Sequence, residues 1–246
     1  EKETIMASKI EYPKNLTIQG LLSFPIKSEK EIEALAEWRE KKNIKKPKFP
    51  DKIGGSLFLN EANYEKAVKY LEEVYLPFVD TLYKETNGSK GIEPDLVKGL
   101  MKQVKARKWV GDDKKPNLPI RDLNAKDKEN LGDFDAVAKI KFAGPFEGDI
   151  VIKAIVQPEG EDRQVVTIAS LIEDGVIPES RQDVDTLWWG AGWNFRTSLR
   201  MNAFDSASVG VSAYSQTLYL LPHLGLPVSS GGDASILEDG DDADWE

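Results

Sequence analysis

The period of the hydrophobic pattern changes once along this chain, and that change limits what it can fold into. Up to about residue 108, apolar residues recur mainly at helical spacing; from residue 136 onward they alternate with polar ones, as half-buried antiparallel strands do. The second half predicts strands over 136–144, 149–156, 164–170, 193–204 and 209–221. Two more are expected earlier, "LTIQGLLSF" at 16–24 and "GGSLFLN" at 54–60. Between and after these lie helical stretches. One opens on a capping box, Ser28 with Glu31, and ends before Pro47 and Pro50. A second runs from Glu61 to Glu85 with Pro77 as a kink. A third runs from Pro94 to about Lys108, with Leu96, Val97, Leu100, Met101 and Val104 facing inward. Residues 111–132 are polar, carry Pro116 and Pro119, and read as a long loop. The expected fold is therefore α+β: one domain over 1–228, a small Greek-key β-barrel with helices inserted at about 28–108.

Charge sharpens this picture. The net charge of −9 hides an uneven distribution. Asp233, Glu238, Asp239, Asp241, Asp242, Asp244 and Glu246 contribute −7 with no base among them, which leaves the first 232 residues near neutral at −2. Residues 229–246 have no periodicity and read as a disordered linker and acidic tail, so the body is free to carry a basic face. No apolar run approaches the roughly 20 residues of a membrane span, and no stretch has the order of a signal peptide. Cysteine is absent, which excludes disulfides and thiol chemistry and fits a reducing, cytoplasmic setting.

Catalysis finds little support. The one histidine, His223, follows Pro222 at the end of the last strand without a partner at useful spacing. There is no phosphate-binding glycine loop and no nucleophile elbow. The acids of the tail sit on a flexible string, a poor scaffold for a metal. No enzyme, metal or cofactor is expected.

A binding surface is better supported. Single strands of nucleic acid are held by basic grooves that track phosphates and by aromatic rings that stack on bases. "KGLMKQVKARKW" places Lys98, Lys102, Lys105, Arg107 and Lys108 beside Trp109. "LWWGAGWNFRTSLRMNAFD" crowds Trp188, Trp189 and Trp193 around Gly190 and Gly192. On a strand, Trp193, Phe195, Thr197 and Leu199 share one face and Arg196 and Arg200 the other. The first set is expected in the core, the arginines on the binding side, and at least one of Trp188 and Trp189 at the surface. The run at 41–52, "KKNIKKPKFPDK", is either a second phosphate contact or a solvated helix end.

These last motifs resemble the single-stranded DNA-binding proteins of podoviruses and related tailed phages. The resemblance is carried by "LWWGAGWNFRTSLRMNAFD", by the glycine-led strand "VGVSAYSQTLYLL", by "EGDIVIKAIV" upstream, and by the acidic end "DDADWE". It covers roughly residues 136–246 and is loose before that. It implies an OB-fold that coats single-stranded DNA in phage replication and recombination inside the infected host. It also implies a tail, here Glu238, Asp239, Asp241, Asp242, Asp244, Trp245 and Glu246, that docks on the phage DNA polymerase and primase-helicase, and a possible homodimer. This chain ends Trp245-Glu246, where the best-known relatives end on a bare aromatic. Two rival readings are a structural or partner-binding phage β protein and an RNA-binding or annealing OB protein.

Overall fold

A computed structural model describes residues 10–23, 29–42, 53–111, 114–131, 134–145, 148–156, 161–176, 192–206 and 208–224. In chain order, β1 (Leu16–Leu22), α1 (Glu29–Lys41) and β2 (Gly54–Leu59) come first. They are followed by α2 (Glu61–Lys69), a π-helical segment (Tyr70–Tyr75), α3 (Leu76–Glu85) and α4 (Pro94–Lys105). Then come β3 (Ile120–Arg121), α5 (Ala125–Asn130), β4 (Ala138–Ala143), β5 (Val151–Val156), β6 (Gln164–Thr167) and α6 (Ile168–Glu173). The chain continues through β7 (Asn194–Asp205), β8 (Val209–Tyr214) and β9 (Thr217–Leu220) to a 3-10 turn (Pro222–Leu224).

Five strands close a barrel in the order β1-β2-β4-β8-β7, and β7 pairs back onto β1 over six residue pairs from Leu16–Leu199 to Leu21–Asn194. All these contacts are antiparallel except β4 with β8, which meet in parallel at Ala143 and Tyr214. This is an OB-like α+β fold. At twelve residues β7 outlasts its partners. Its first half also pairs with β9, and β5 and β6 extend the sheet beyond that. Closure needs strands to approach closely, and Gly20 shows where. A Cβ there would lie 2.2 Å from the Phe58 carbonyl oxygen.

One apolar core joins barrel and helices. Leu16, Ile18, Ile140, Phe195 and Leu199 from the barrel pack in one cluster with Val68, Leu71, Leu76, Val79, Leu100 and Val104 from the helices. The helix start is tied to the barrel edge: Asn60 caps α2, and Asn63 Oδ1 accepts the backbone N–H of Gln19 at 3.0 Å. Among the described residues, no helix is long and apolar enough to cross a membrane.

Four local expectations are corrected. The stretch 111–132 contains β3 and the short helix α5, whose Asn124–Asp127 capping box satisfies the backbone N–H of each of those two residues. The strand expected over 164–170 stops at Thr167, because its hydroxyl accepts the Ser170 N–H and starts α6. The strand expected over 209–221 is two strands, β8 and β9. The helix from Pro94 ends at Lys105, three residues early, with Arg107 in the left-handed region (φ 55°) and the Lys108 N–H donating to the Gln103 carbonyl. The disruption expected at Pro77 takes the form of the π-helical segment just before it. Pro77 has no N–H to donate, and the Leu76 N–H reaches back five residues to Leu71. Ser28, Pro47, Pro50 and residues 225–246 lie outside the described residues.

Candidate nucleic-acid interface

The candidate surface is built on the parity of β7. Phe195, Thr197, Leu199 and Met201 point inward and are buried, while Arg196 is half-buried and Ser198 and Arg200 are exposed. Trp193, just before the strand, is also in the core, so the division expected for these residues holds. Gly192 turns the chain into the strand at φ 76°, in the left-handed region open to glycine.

Strand register then assembles the surface. Residues directly opposite on paired strands share a face of the sheet. Arg196 lies opposite Gln19 of β1 and Tyr219 of β9; Tyr219 lies opposite Lys153 of β5, and Lys153 opposite Thr167 of β6. One row of five residues thus crosses five strands. The Arg196 guanidinium donates to Gln19 Oε1 at 3.3 Å, which keeps it extended along the face. Arg200 belongs to a second row, opposite Tyr214 of β8, which is followed by Ala143 of β4 and Gly54 of β2. Ala143 and Gly54 carry almost no side chain, so little stands beside the Tyr214 ring, which is 38% exposed. The two arginines are four residues apart, about 13 Å along the strand.

Each arginine on this face therefore has a tyrosine directly opposite. Charge is segregated to match. The nine strands carry Arg121, Lys139, Lys141, Lys153, Arg196 and Arg200 against a single acid, Asp205. In OB-folds the surface of the second and third barrel strands is a common oligonucleotide site. Here that pair, β2 and β4, is partly closed on this side: Lys139 is only 6% exposed and bonds Asp127 of α5. The open basic surface lies around the barrel on β1, β7, β8, β9 and β5.

The basic row expected on α4 is a different matter. Lys98, Lys102, Lys105, Arg107 and Lys108 are all exposed. Lys98, however, donates to Asp95 at 2.9 Å, and this bond raises its pKa while lowering that of Asp95. Lys105 lies 3.7 Å from Glu72. Arg107 donates both ways into the Glu65 carboxylate at 2.9 and 3.1 Å and lies over the Tyr64 ring, 5.7 Å from its centre. Acids from α2 and the π-helical segment thus neutralise much of the row. Trp109 is corrected outright: at 2% exposure it is a core residue, edge-on to Tyr64 at 6.0 Å, with no ring face for a base. Trp188, Trp189 and the tail residues Glu238, Asp239, Asp241, Asp242, Asp244, Trp245 and Glu246 lie outside the described residues.

Tyr214, Tyr219, Lys153 and Gln19 were not legible as site residues. Read as one strand, "VGVSAYSQTLYLL" puts Tyr214 and Tyr219 on opposite faces, five positions apart. The break at Ser215–Gln216 resets the parity. Ser215 is buried, its hydroxyl 2.7 Å from that of Thr197, and one extra residue follows before β9 resumes. The polar pair "SQ" inside an apolar run was the available signal. Among the described residues there is no cluster of potential metal ligands.

The sequence matches no family model and no curated protein. Solved structures to which the chain is similar include gp2.5, a single-stranded DNA-binding protein encoded by bacteriophage T7. The identity is 12% and the TM-score 0.35, covering 92% of this chain and 94% of that one. Another is a single-stranded DNA-binding protein from bacteriophage Enc34, at 12% identity and TM-score 0.35, with 93% of this chain and 97% of that one covered.

Proposed function

We propose that this chain binds single-stranded DNA, with little dependence on sequence, along the outer face of β1, β7, β8, β9 and β5. The observation that carries this reading is the pairing of Arg196 with Tyr219 and of Arg200 with Tyr214 across adjacent strands. Arginine supplies phosphate contacts and tyrosine a flat ring for an unpaired base, the two elements such binding needs. A duplex hides its base faces, so the tyrosines favour single strands. Nothing in this mode requires catalysis or a cofactor.

The resemblance of residues 136–246 extends the reading. The chain coats single strands during phage DNA replication and recombination in the infected host, and its tail contacts the polymerase and primase-helicase. A segment carrying −7 and a terminal-side Trp245 is itself a crude mimic of a single strand. Tethering gives it an effective concentration in the millimolar range at the basic face, from which DNA displaces it. Deleting residues 233–246 therefore tightens DNA binding at low salt, by an amount that shrinks as salt rises, and abolishes partner binding. Equal low-salt affinity of the full and truncated chains would rule out self-shielding.

The arginines provide the direct test. In a titration of fluorescently labelled poly(dT), Arg196→Ala with Arg200→Ala makes the slope of log affinity against log salt shallower by about 1.4, at ~0.7 per lost contact. Lys105→Ala with Arg107→Ala changes the slope little, because Glu72 and Glu65 already occupy those cations. A larger loss from the second pair would move the interface to α4.

A further inference from the structure

The strand face does not end at β1. Thr17 lies opposite Ser198, the residue between Arg196 and Arg200, and Thr17 also lines a cleft between the start of β1 and the end of α2. The cleft has a volume of about 620 Å³. Its rim holds three exposed lysines, Lys14 from the chain leading into β1 and Lys66 and Lys69 from the last turn of α2. Tyr70 fixes the two sides together, its hydroxyl donating to the Lys14 carbonyl at 2.8 Å. One acid lies on the rim, Glu73, 3.7 Å from Lys69, with both side chains more than half exposed. Val74, 41% exposed, supplies an apolar patch beside the charges.

We infer that this cleft is a second contact for the DNA, holding the sugar-phosphate backbone where the strand leaves the sheet past Ser198 and Thr17. The inference rests on the proposed binding face. Three features point to a nucleic-acid backbone. The cleft is continuous with the arginine rows through a paired register, so one strand can follow both. Its charge is net positive, three lysines against one carboxylate, in contrast to the row on and after α4, where Lys98, Lys105 and Arg107 each have an acid beside them. Its lysines sit at i and i+3 on one helix face with Lys14 across the gap, a spread of flexible point charges suited to phosphates rather than to a planar ligand. The sheet face reads bases by stacking; the cleft adds reach and salt dependence without adding a ring.

The test compares oligonucleotide lengths. A strand of about 6 thymidines fills the sheet face alone, while one of about 16 also reaches the cleft, both within the span of site sizes for OB folds. Lys66→Gln with Lys69→Gln should weaken binding of the longer strand about 25-fold at 0.1 M salt and reduce its salt slope by about 1.4. The short strand should bind the variant as it binds the parent chain. Glu73→Gln should act in the opposite direction, tightening only the longer strand. All three positions are exposed, and unchanged thermal unfolding verifies the fold. Equal losses for both lengths, or none for either, overturn the cleft assignment while leaving the sheet face standing. Failure of the parent chain to bind either strand overturns both.

Discussion

Alanine at both Tyr214 and Tyr219 lowers affinity for poly(dT) by about 2–6 kcal/mol, at ~1–3 kcal/mol per stacked base, and leaves the salt slope nearly unchanged. The two rings lie on one face of the sheet, each opposite an arginine, and neither is buried. Their loss removes stacking area but no phosphate contact, so affinity and salt dependence respond separately. The arginine double variant shows the complementary pattern, with a shallower slope. Phenylalanine at both sites retains most of the affinity, because the ring and not the hydroxyl does the stacking. Isothermal titration at two salt concentrations reads both quantities at once. Binding unaffected by the alanine pair would show that the bases lie elsewhere, and a loss matched in the phenylalanine pair would assign the effect to the hydroxyls.

Lys139→Met destabilises the fold by about 3–5 kcal/mol. Asp127 is 1% exposed and its carboxylate accepts the Lys139 ammonium at 3.0 Å to one oxygen and 2.9 Å to the other. Without Lys139, a buried carboxylate loses its cation and keeps the Asn124 N–H at 2.9 Å. Adding Asp127→Asn recovers most of the loss, since an amide oxygen still accepts that N–H and carries no charge to bury. Urea unfolding of the single and double variants measures the difference. A single variant as stable as the parent would mean that solvent reaches Asp127 once Lys139 is gone. The pair also ties α5 to β4, one strand away from the Arg200–Tyr214 row.

Burial patterns were largely legible from local periodicity. The alternation in "WNFRTSLRMNAF" placed Trp193, Phe195, Thr197 and Leu199 inside and Arg196 and Arg200 outside, because a strand's period of two is set by its own backbone. The helices expected over 61–85 and from Pro94 followed from the same kind of argument, though the second ends at Lys105 rather than Lys108 and Leu96, expected inward, is exposed. Short elements escaped it. A six-residue helix such as α5 or α6 completes too few turns to show a period, and only the caps at Asn124 and Thr167 mark it.

What the sequence determined by itself, then, was which residues of an unbroken strand such as β7 point inward, since that depends on local geometry and on burying apolar surface. Tertiary structure alone decided which outward residues meet. Gln19 and Arg196 are 177 residues apart and share a row only because β7 closes the barrel onto β1. The break at Ser215–Gln216 brings Tyr219 to the face of Tyr214 because Ser215 turns inward to Thr197. It was also tertiary packing that turned the cations of α4 toward Glu65 and Glu72 and hid the ring of Trp109. Composition makes a lysine-rich helix look like a phosphate site; only the carboxylates that pack beside it reveal that Lys98, Lys105 and Arg107 already have acids.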